Sequence, residues 1–197
     1  MEITAHSEPF KVFEAWMTEA RKQPHIKEPT AMSLATVGGD GDVHARIVLC
    51  KQWSTEGLVF FTNYDSRKGL DLQHNPNAAA VFYWDPMFRQ VKFSGQIEKT
   101  SRQVSEQYWR TRARDSQISQ TISRQSQEAP AREVMQQEWQ QAEERLHGKD
   151  IPCPAHWGGY LLRPKRIEFW LGQPGRWHDR HEFQKSSDRW TYRRLYP

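Results

Sequence analysis

Apolar residues recur at Phe10, Phe13, Trp16, Met17 and Ala20, steps of three and four that put them on one side of a helix. Ser7 is placed to cap that helix and Pro9 to sit in its first turn, so residues 1–25 read as an N-terminal helical segment. Beyond Pro24 and Pro29 the apolar runs become short. Ala31 to Val37 and Val43 to Lys51 flank Gly38-Gly39-Asp40-Gly41-Asp42 and predict a hairpin. Leu58 to Thr62, Ala78 to Tyr83 and Arg89 to Glu98 predict three more strands. Between the first two of these, Asp65 or Ser66 is placed to cap a short helix that opens with Arg67-Lys68 and closes before Pro76. A helix is predicted from Ser101 to about Arg112, then a polar connector that includes Gln117 to Gln127, then a helix from Ala131 to His147. Met135, Trp139, Ala142 and Leu146 give the second helix a narrow apolar stripe, and Gly148 stops it. After Pro152 and Pro154, Trp157 to Leu162, Ile167 to Leu171 and Trp190 to Leu195 predict the last strands. Short strands separated by turn residues indicate a barrel or a sandwich, mainly β with flanking helices (α+β).

Composition narrows the class. A chain of 197 residues supports one sizeable core, and the whole of 1–197 reads as a single domain. Lys and Arg exceed Asp and Glu by 28 to 24, a balance that favours anionic partners but is too small and too scattered to imply nucleic acid. Nine Trp, nine Phe and six Tyr offer more aromatic area than one core of this size needs, which points to burial in an oligomer. No run is apolar and long enough to span a membrane, and Met1 to His6 lacks the plan of a secretory signal, so a cytoplasmic location is expected with no membrane partner. Cys50 and Cys153 lack CxxC spacing and read as free thiols. There is no G-x-S-x-G elbow, Walker loop or strand-linked G-x-G-x-x-G, which removes the hydrolase, NTPase and Rossmann classes.

The candidate chemistry lies in clustered cations. Arg176-Trp177-His178-Asp179-Arg180 packs two guanidinium groups and an imidazole into five residues, and such groups repel unless an anion sits among them. Arg67-Lys68 opposes the macrodipole at a helix start, where free N–H groups also point, so an anion is expected there too. Arg46-Ile47-Val48-Leu49-Cys50-Lys51 carries a cation at each end; in a regular strand these face opposite sides, so one ligand reaches both only at a curve or bulge, and two surface charges are the plain alternative. Tyr108, Arg112 and Ser116 are spaced by four, which on a helix aligns three donors suited to a phosphate or leaves an ordinary solvated basic face. His178 and His181 lack a third ligand, and no metal is expected.

Together these segments resemble the pyridoxine (pyridoxamine) 5′-phosphate oxidase family. The motifs fall in order from Arg46 to Lys51 through Phe61-Thr62-Asn63, Ser66-Arg67-Lys68, Arg112-Ala-Arg-Asp-Ser116, Ser123-Arg-Gln-Ser126, Ile167-Glu-Phe-Trp170 and Arg176-Trp-His-Asp-Arg180. The resemblance implies an FMN-binding split β-barrel and a homodimer with shared active sites. It assigns Arg46, Ile47, Val48, Leu49, Cys50, Lys51, Phe61, Thr62, Arg67, Lys68 and Gln90 to FMN, joined by Gln125, Ser126, Trp170 and Arg180 from the partner subunit. It assigns Lys51, Tyr108, Arg112 and Ser116 to the substrate phosphate, and Arg176 and His178 to the pyridine ring as the catalytic pair. The implied reaction takes a hydride from C4′ of pyridoxamine or pyridoxine 5′-phosphate, with O₂ as acceptor, H₂O₂ as product and pyridoxal 5′-phosphate as the outcome. A related flavin oxidase of phenazine biosynthesis, or a flavin or pyridoxal phosphate binder without turnover, are the alternatives. Phe61 stands where the family often has Tyr, Cys50 where it often has an aliphatic residue, and Met1 to Phe10 lacks the Arg and Tyr of a segment that folds over the substrate in other members.

Overall fold

The N-terminal apolar stripe is buried as its spacing requires. Helix α1 (Pro9–Lys22) hides Phe10, Val12, Phe13, Trp16, Met17 and Ala20 against the sheet. The computed structural model describes residues 2–129, 131–187 and 189–197. Glu8, rather than Ser7, occupies the N-cap, because the Ser7 hydroxyl accepts the Thr4 N–H at 3.0 Å and closes the preceding turn. The Phe13 ring lies 5.0 Å from Phe93, 5.1 Å from Phe82 and 5.7 Å from Trp53, while Trp16 meets Phe169 edge-on at 5.2 Å. Much of the aromatic surplus is therefore spent inside one chain.

The predicted hairpin is β1 (Ala31–Val37) and β2 (Val43–Leu49), followed by β3 (Gln52–Ser54), β4 (Gly57–Asn63), α2 (Arg67–His74), β5 (Asn77–Trp84) and β6 (Arg89–Lys99). Helices α3 (Arg102–Arg110), α4 (Arg114–Ile122) and α5 (Arg132–Leu146) precede β7 (Trp157–Leu171), β8 (Asp179–Ser186) and β9 (Arg189–Leu195). Every pairing is antiparallel, in the order β2-β1-β5-β6-β7-β4-β3, with β8 and β9 continuing from β7. The Lys51 N–H donates to Val59 O at 2.8 Å, bringing the segment after β2 to β4 and curling the sheet into a split barrel.

The two predicted strands at 157–162 and 167–171 are one. β7 continues through Pro164 because Ser94 pairs with Arg166 and Gly95 with Pro164, leaving Lys165 as the extra residue of a bulge that needs no N–H from proline. A Cβ at Gly95 would meet Arg163 O at 2.0 Å, so only glycine fits there. The short β3 and the charged β8 are strands without a sequence prediction, and the polar connector contains helix α4. That helix is held by a second apolar cluster of Trp109, Ile118, Ala142, Ile151 and Trp157, which joins α3, α4 and α5 to the start of β7. In α5 only Ala142 of the predicted stripe is buried, and Met135 is half exposed. Among the described residues no helix is long and apolar enough to cross a membrane.

Candidate functional site

A cavity of about 640 Å³ opens where the end of β2, β4, the start of α2, the turn between α3 and α4, and the loop after α4 meet. Its lining contains Arg46, Ile47, Val48, Leu49, Lys51, Phe61, Thr62, Arg67, Lys68, Tyr108, Arg112, Gln125 and Ser126, all picked out from sequence, together with Gln120 and Trp157, which were not. Arg46 and Lys51 both reach it because β2 ends at Leu49 and the chain turns, so the alternation of a regular strand does not extend to Lys51.

At one end stand Arg46, Arg67 and Lys68. Asp71, one turn along α2 from Arg67, is buried and accepts Thr36 Oγ1 at 2.7 Å, Arg67 Nε at 3.2 Å and a hydrogen bond with His44 Nδ1 at 3.1 Å; Arg46 Nη2 lies 3.6 Å away. Arg46 Nη1 donates to Thr36 Oγ1 at 2.7 Å and Leu34 O at 3.2 Å, and Arg67 Nη2 to Asp40 Oδ2 at 2.8 Å. Lys68 is buried and donates only to the hydroxyls of Thr62 and Ser66, each at 3.1 Å. Burial, then the neighbouring Arg46 charge, push its ammonium down to about 8, against the pull of Asp71. Three cations thus face two carboxylates, an excess that suits an anion.

At the other end, Lys51, Tyr108 and Arg112 have no carboxylate partner among the described residues. The Arg112 guanidinium lies 5.0 Å from the Trp157 ring, its Nε is buried without a hydrogen-bond acceptor, and burial lowers its pKa. Phe61 stacks on Tyr108 at 4.0 Å and on Trp157 at 5.5 Å, forming a flat wall. Burial raises the Tyr108 pKa, which keeps the phenol protonated and able to donate.

Several expectations are corrected. Tyr108, Arg112 and Ser116 do not share one helix: α3 ends at Arg110 and α4 starts at Arg114, so Arg112 sits in the turn and Ser116 falls outside the lining. Cys50 faces the core, its thiol donating to Gln52 O at 3.3 Å and pushed up to about 12 by burial, so its side chain does not reach the cavity. Gln125 and Ser126 line the cavity of their own chain rather than arriving from a partner. Thr62 Oγ1 to Gln125 Oε1 at 3.3 Å and Asn63 Nδ2 to Ser123 O at 3.2 Å tie their loop to β4.

Gln90, Trp170, Arg176, His178 and Arg180 are not in this cavity. They form a second group: Gln90, Trp170 and Arg180 occupy one row across β6, β7 and β8, and Trp170 lies 4.6 Å from the His178 ring. Arg180 Nε donates to Glu168 Oε1 at 2.8 Å and Nη1 to Tyr196 O at 3.0 Å, while His178 Nδ1 accepts the Gln173 N–H at 3.1 Å. Arg176 is exposed, at a φ of 61° that side chains other than glycine seldom adopt. Asp71, Thr36 and His44 were missed, although Arg67 and Asp71 at i and i+4, and His44 and Arg46 two apart on one strand, were legible spacings.

Residues 17–145 match a family model described as pyridoxamine 5′-phosphate oxidase, and 157–197 match one described as the pyridoxine 5′-phosphate oxidase C-terminal dimerisation region. The chain belongs to the pyridoxamine 5′-phosphate oxidase family. Its similarity to that family's members extends over the full length: it is 44% identical over 198 residues to a pyridoxine/pyridoxamine 5′-phosphate oxidase of Bordetella pertussis, covering 100% of this chain and 93% of the relative. It is 41% identical over 194 residues to pyridoxine/pyridoxamine 5′-phosphate oxidase 1 of Hydrogenovibrio crunogenus, covering 97% and 89%. Among solved structures, PhzG from Burkholderia lata in complex with tetrahydrophenazine-1-carboxylic acid superposes with a TM-score of 0.91 at 28% identity, over 97% of this chain and 93% of that one. The split barrel is thus the family's fold, as expected.

Proposed function

We propose that this chain is an FMN-dependent oxidase that converts pyridoxamine 5′-phosphate, pyridoxine 5′-phosphate or both to pyridoxal 5′-phosphate, with O₂ as acceptor and H₂O₂ as product. It works in the cytoplasm as a homodimer whose two copies share each active site. The observation that carries this reading is a single cavity with two separate sets of cations and donors, Arg46, Arg67 and Lys68 at one end and Lys51, Tyr108 and Arg112 at the other. A phosphorylated cofactor beside a phosphorylated substrate requires two such sets.

The residues fit FMN. A volume of about 640 Å³ suits a bound cofactor, and Lys68, buried and with no direct carboxylate partner among the described residues, suits its phosphate. Arg46, Arg67 and Lys68 would hold that phosphate, with the start of α2 adding free N–H groups. The backbone of residues 47–51, Phe61, Thr62, Gln125 and Ser126 would line the rest from the same copy. Gln90, Trp170 and Arg180, one row across three strands, would arrive from the second copy, and in this arrangement the C-terminal strands form part of the dimer contact. Held there, FMN would supply the hydride acceptor for substrate C4′ and the route for those electrons to O₂.

The chain's own residues then position and exclude. Arg112 Nε, buried and without an acceptor, would donate to the substrate phosphate together with Lys51 and the protonated Tyr108 phenol. The Phe61, Tyr108 and Trp157 wall keeps water from one side of the cavity. Arg176 and His178, brought by the second copy, would orient the pyridine ring. Because Nδ1 accepts from the Gln173 N–H, the imidazole presents Nε2–H, which can donate to the oxygen borne on C3 of the substrate's pyridine ring. Lys51, Tyr108 and Arg112 favour this substrate over an unphosphorylated tricycle, which would leave them unpaired.

The purified protein is expected to be yellow, to bleach when pyridoxamine 5′-phosphate is added without oxygen, and in air to form H₂O₂ and pyridoxal 5′-phosphate in equal amounts. A protein that holds FMN but yields no peroxide with either phosphorylated vitamer would overturn the oxidase in favour of a carrier.

A further inference from the structure

We infer that Asp71, which does not line the cavity, is the positioning residue of its cofactor-phosphate end, holding Arg46, Arg67 and His44 from behind so that both guanidinium groups present fixed donors to a phosphate monoester. This deepens the flavin reading above and rests on it.

The carboxylate is 2% exposed and gathers groups from three elements: Thr36 on β1, His44 and Arg46 on β2, and Arg67 on α2. It therefore fastens the start of α2 to the hairpin at the place where the two guanidiniums meet the cavity. Arg67 is bound through Nε and Nη2, and Arg46 through Nη1 and, more loosely, Nη2. Arg67 Nη1 and Arg46 Nε have no partner among the described hydrogen bonds. An arginine clamped on one side and open on the other has already given up the rotamer freedom that binding would otherwise cost. Asp71 also favours the charged form of Lys68, which burial and Arg46 oppose.

Coulomb attraction alone makes the contrary prediction. Removing a carboxylate from behind three cations would leave them more attractive to an anion, so a simple charge balance expects Asp71→Asn to bind FMN more tightly. Positioning expects weaker binding, and only for the ligand that carries a phosphate.

The test titrates the full-length, flavin-stripped protein with FMN and, separately, with riboflavin, which has the same ring without the phosphate, following flavin fluorescence. Wild type is expected to prefer FMN. Asp71→Asn should weaken FMN on the order of tenfold, the loss of about one charge-assisted contact, and leave riboflavin unchanged. Thr36→Val keeps the carboxylate but removes one donor to it and one acceptor for Arg46, so it should show a smaller loss of the same kind and decides the matter if Asp71→Asn does not fold. Equal losses for both flavins would make Asp71 a merely structural residue, and unchanged or tighter FMN binding would give the result to simple charge; either outcome overturns the inference while leaving the flavin reading intact. A wild type that does not distinguish FMN from riboflavin overturns both.

Discussion

The two ends of the cavity solve the same problem in opposite ways. Around Arg46, Arg67 and Lys68 the cations are backed by Asp71 and Asp40 and tied into a hydrogen-bonded lattice before any ligand arrives. Around Arg112 no carboxylate pairs with the charge among the described residues; aromatic faces support it and one N–H is left without an acceptor. A group that stays bound through many turnovers gains from a site built in advance, whereas a ligand that must leave after each turnover gains from donors whose need it alone satisfies. The contrast predicts that substitutions at the two ends separate cleanly into cofactor and substrate effects.

The largest separation is expected at Arg112. Arg112→Ala removes a buried charge at the end proposed for the vitamer phosphate and should lower kcat/KM by about 100-fold, mostly through KM at saturating FMN, with flavin affinity unchanged; steady-state assays beside a flavin titration would show it. A mutant that instead loses its flavin would erase the contrast. Arg67→Ala is the mirror case, costing roughly 1.5 to 3 kcal/mol of FMN affinity through one charge-assisted contact and leaving KM for the vitamer unchanged once FMN is saturating. Retention of FMN through dialysis as complete as in wild type would count against it.

An effect of pH should belong to the cofactor end alone. Burial and the Arg46 charge hold Lys68 down to about 8, so it is charged below that pH and neutral above it. An anion raises the pKa of the lysine that binds it, so binding takes up a proton above about pH 8 and FMN affinity should fall as pH rises through that value. Lys68→Arg should abolish this dependence, and a flat wild-type profile from pH 7 to about 9.5 would refute the assignment. The smallest effect is expected from Tyr108→Phe, which keeps the stack on Phe61 but removes one neutral donor, about 0.5 to 1.5 kcal/mol in kcat/KM for the phosphorylated vitamer.

The parts of the fold that were legible are those whose burial follows a period. The α1 stripe and the β1–β2 hairpin read directly, since one face of each meets a core. β8 did not, because it buries His181 and Glu182 beside Phe183, and Glu182 is tolerated inside only through Arg166 and Arg193, partners on neighbouring strands. Helix α4 read as a connector because Ile118 is its only fully buried residue and the cluster that holds it is assembled from four other segments. In the site, Arg67 and Lys68 were visible as cations misplaced at a helix start, whereas the part played by Asp71 depends on Thr36, His44 and Arg46, which only the folded hairpin brings around it. That Gln125 and Ser126 line a cavity of their own chain was not legible, because it depends on how Asn63 and Thr62 catch a loop some sixty residues later.

β7 has a consequence for the order of assembly. Its residues 157–162 pair with β4, 160–171 with β6 and 166–171 with β8, so two earlier strands, β4 and β6, wait for a strand that begins at Trp157. During synthesis, β4 and β6 leave the ribosome with bare hydrogen-bonding edges and keep them until most of the polypeptide has emerged. The nascent chain is therefore exposed to aggregation from the emergence of β4 until β7 follows, and a stall before residue 157 would strand it there.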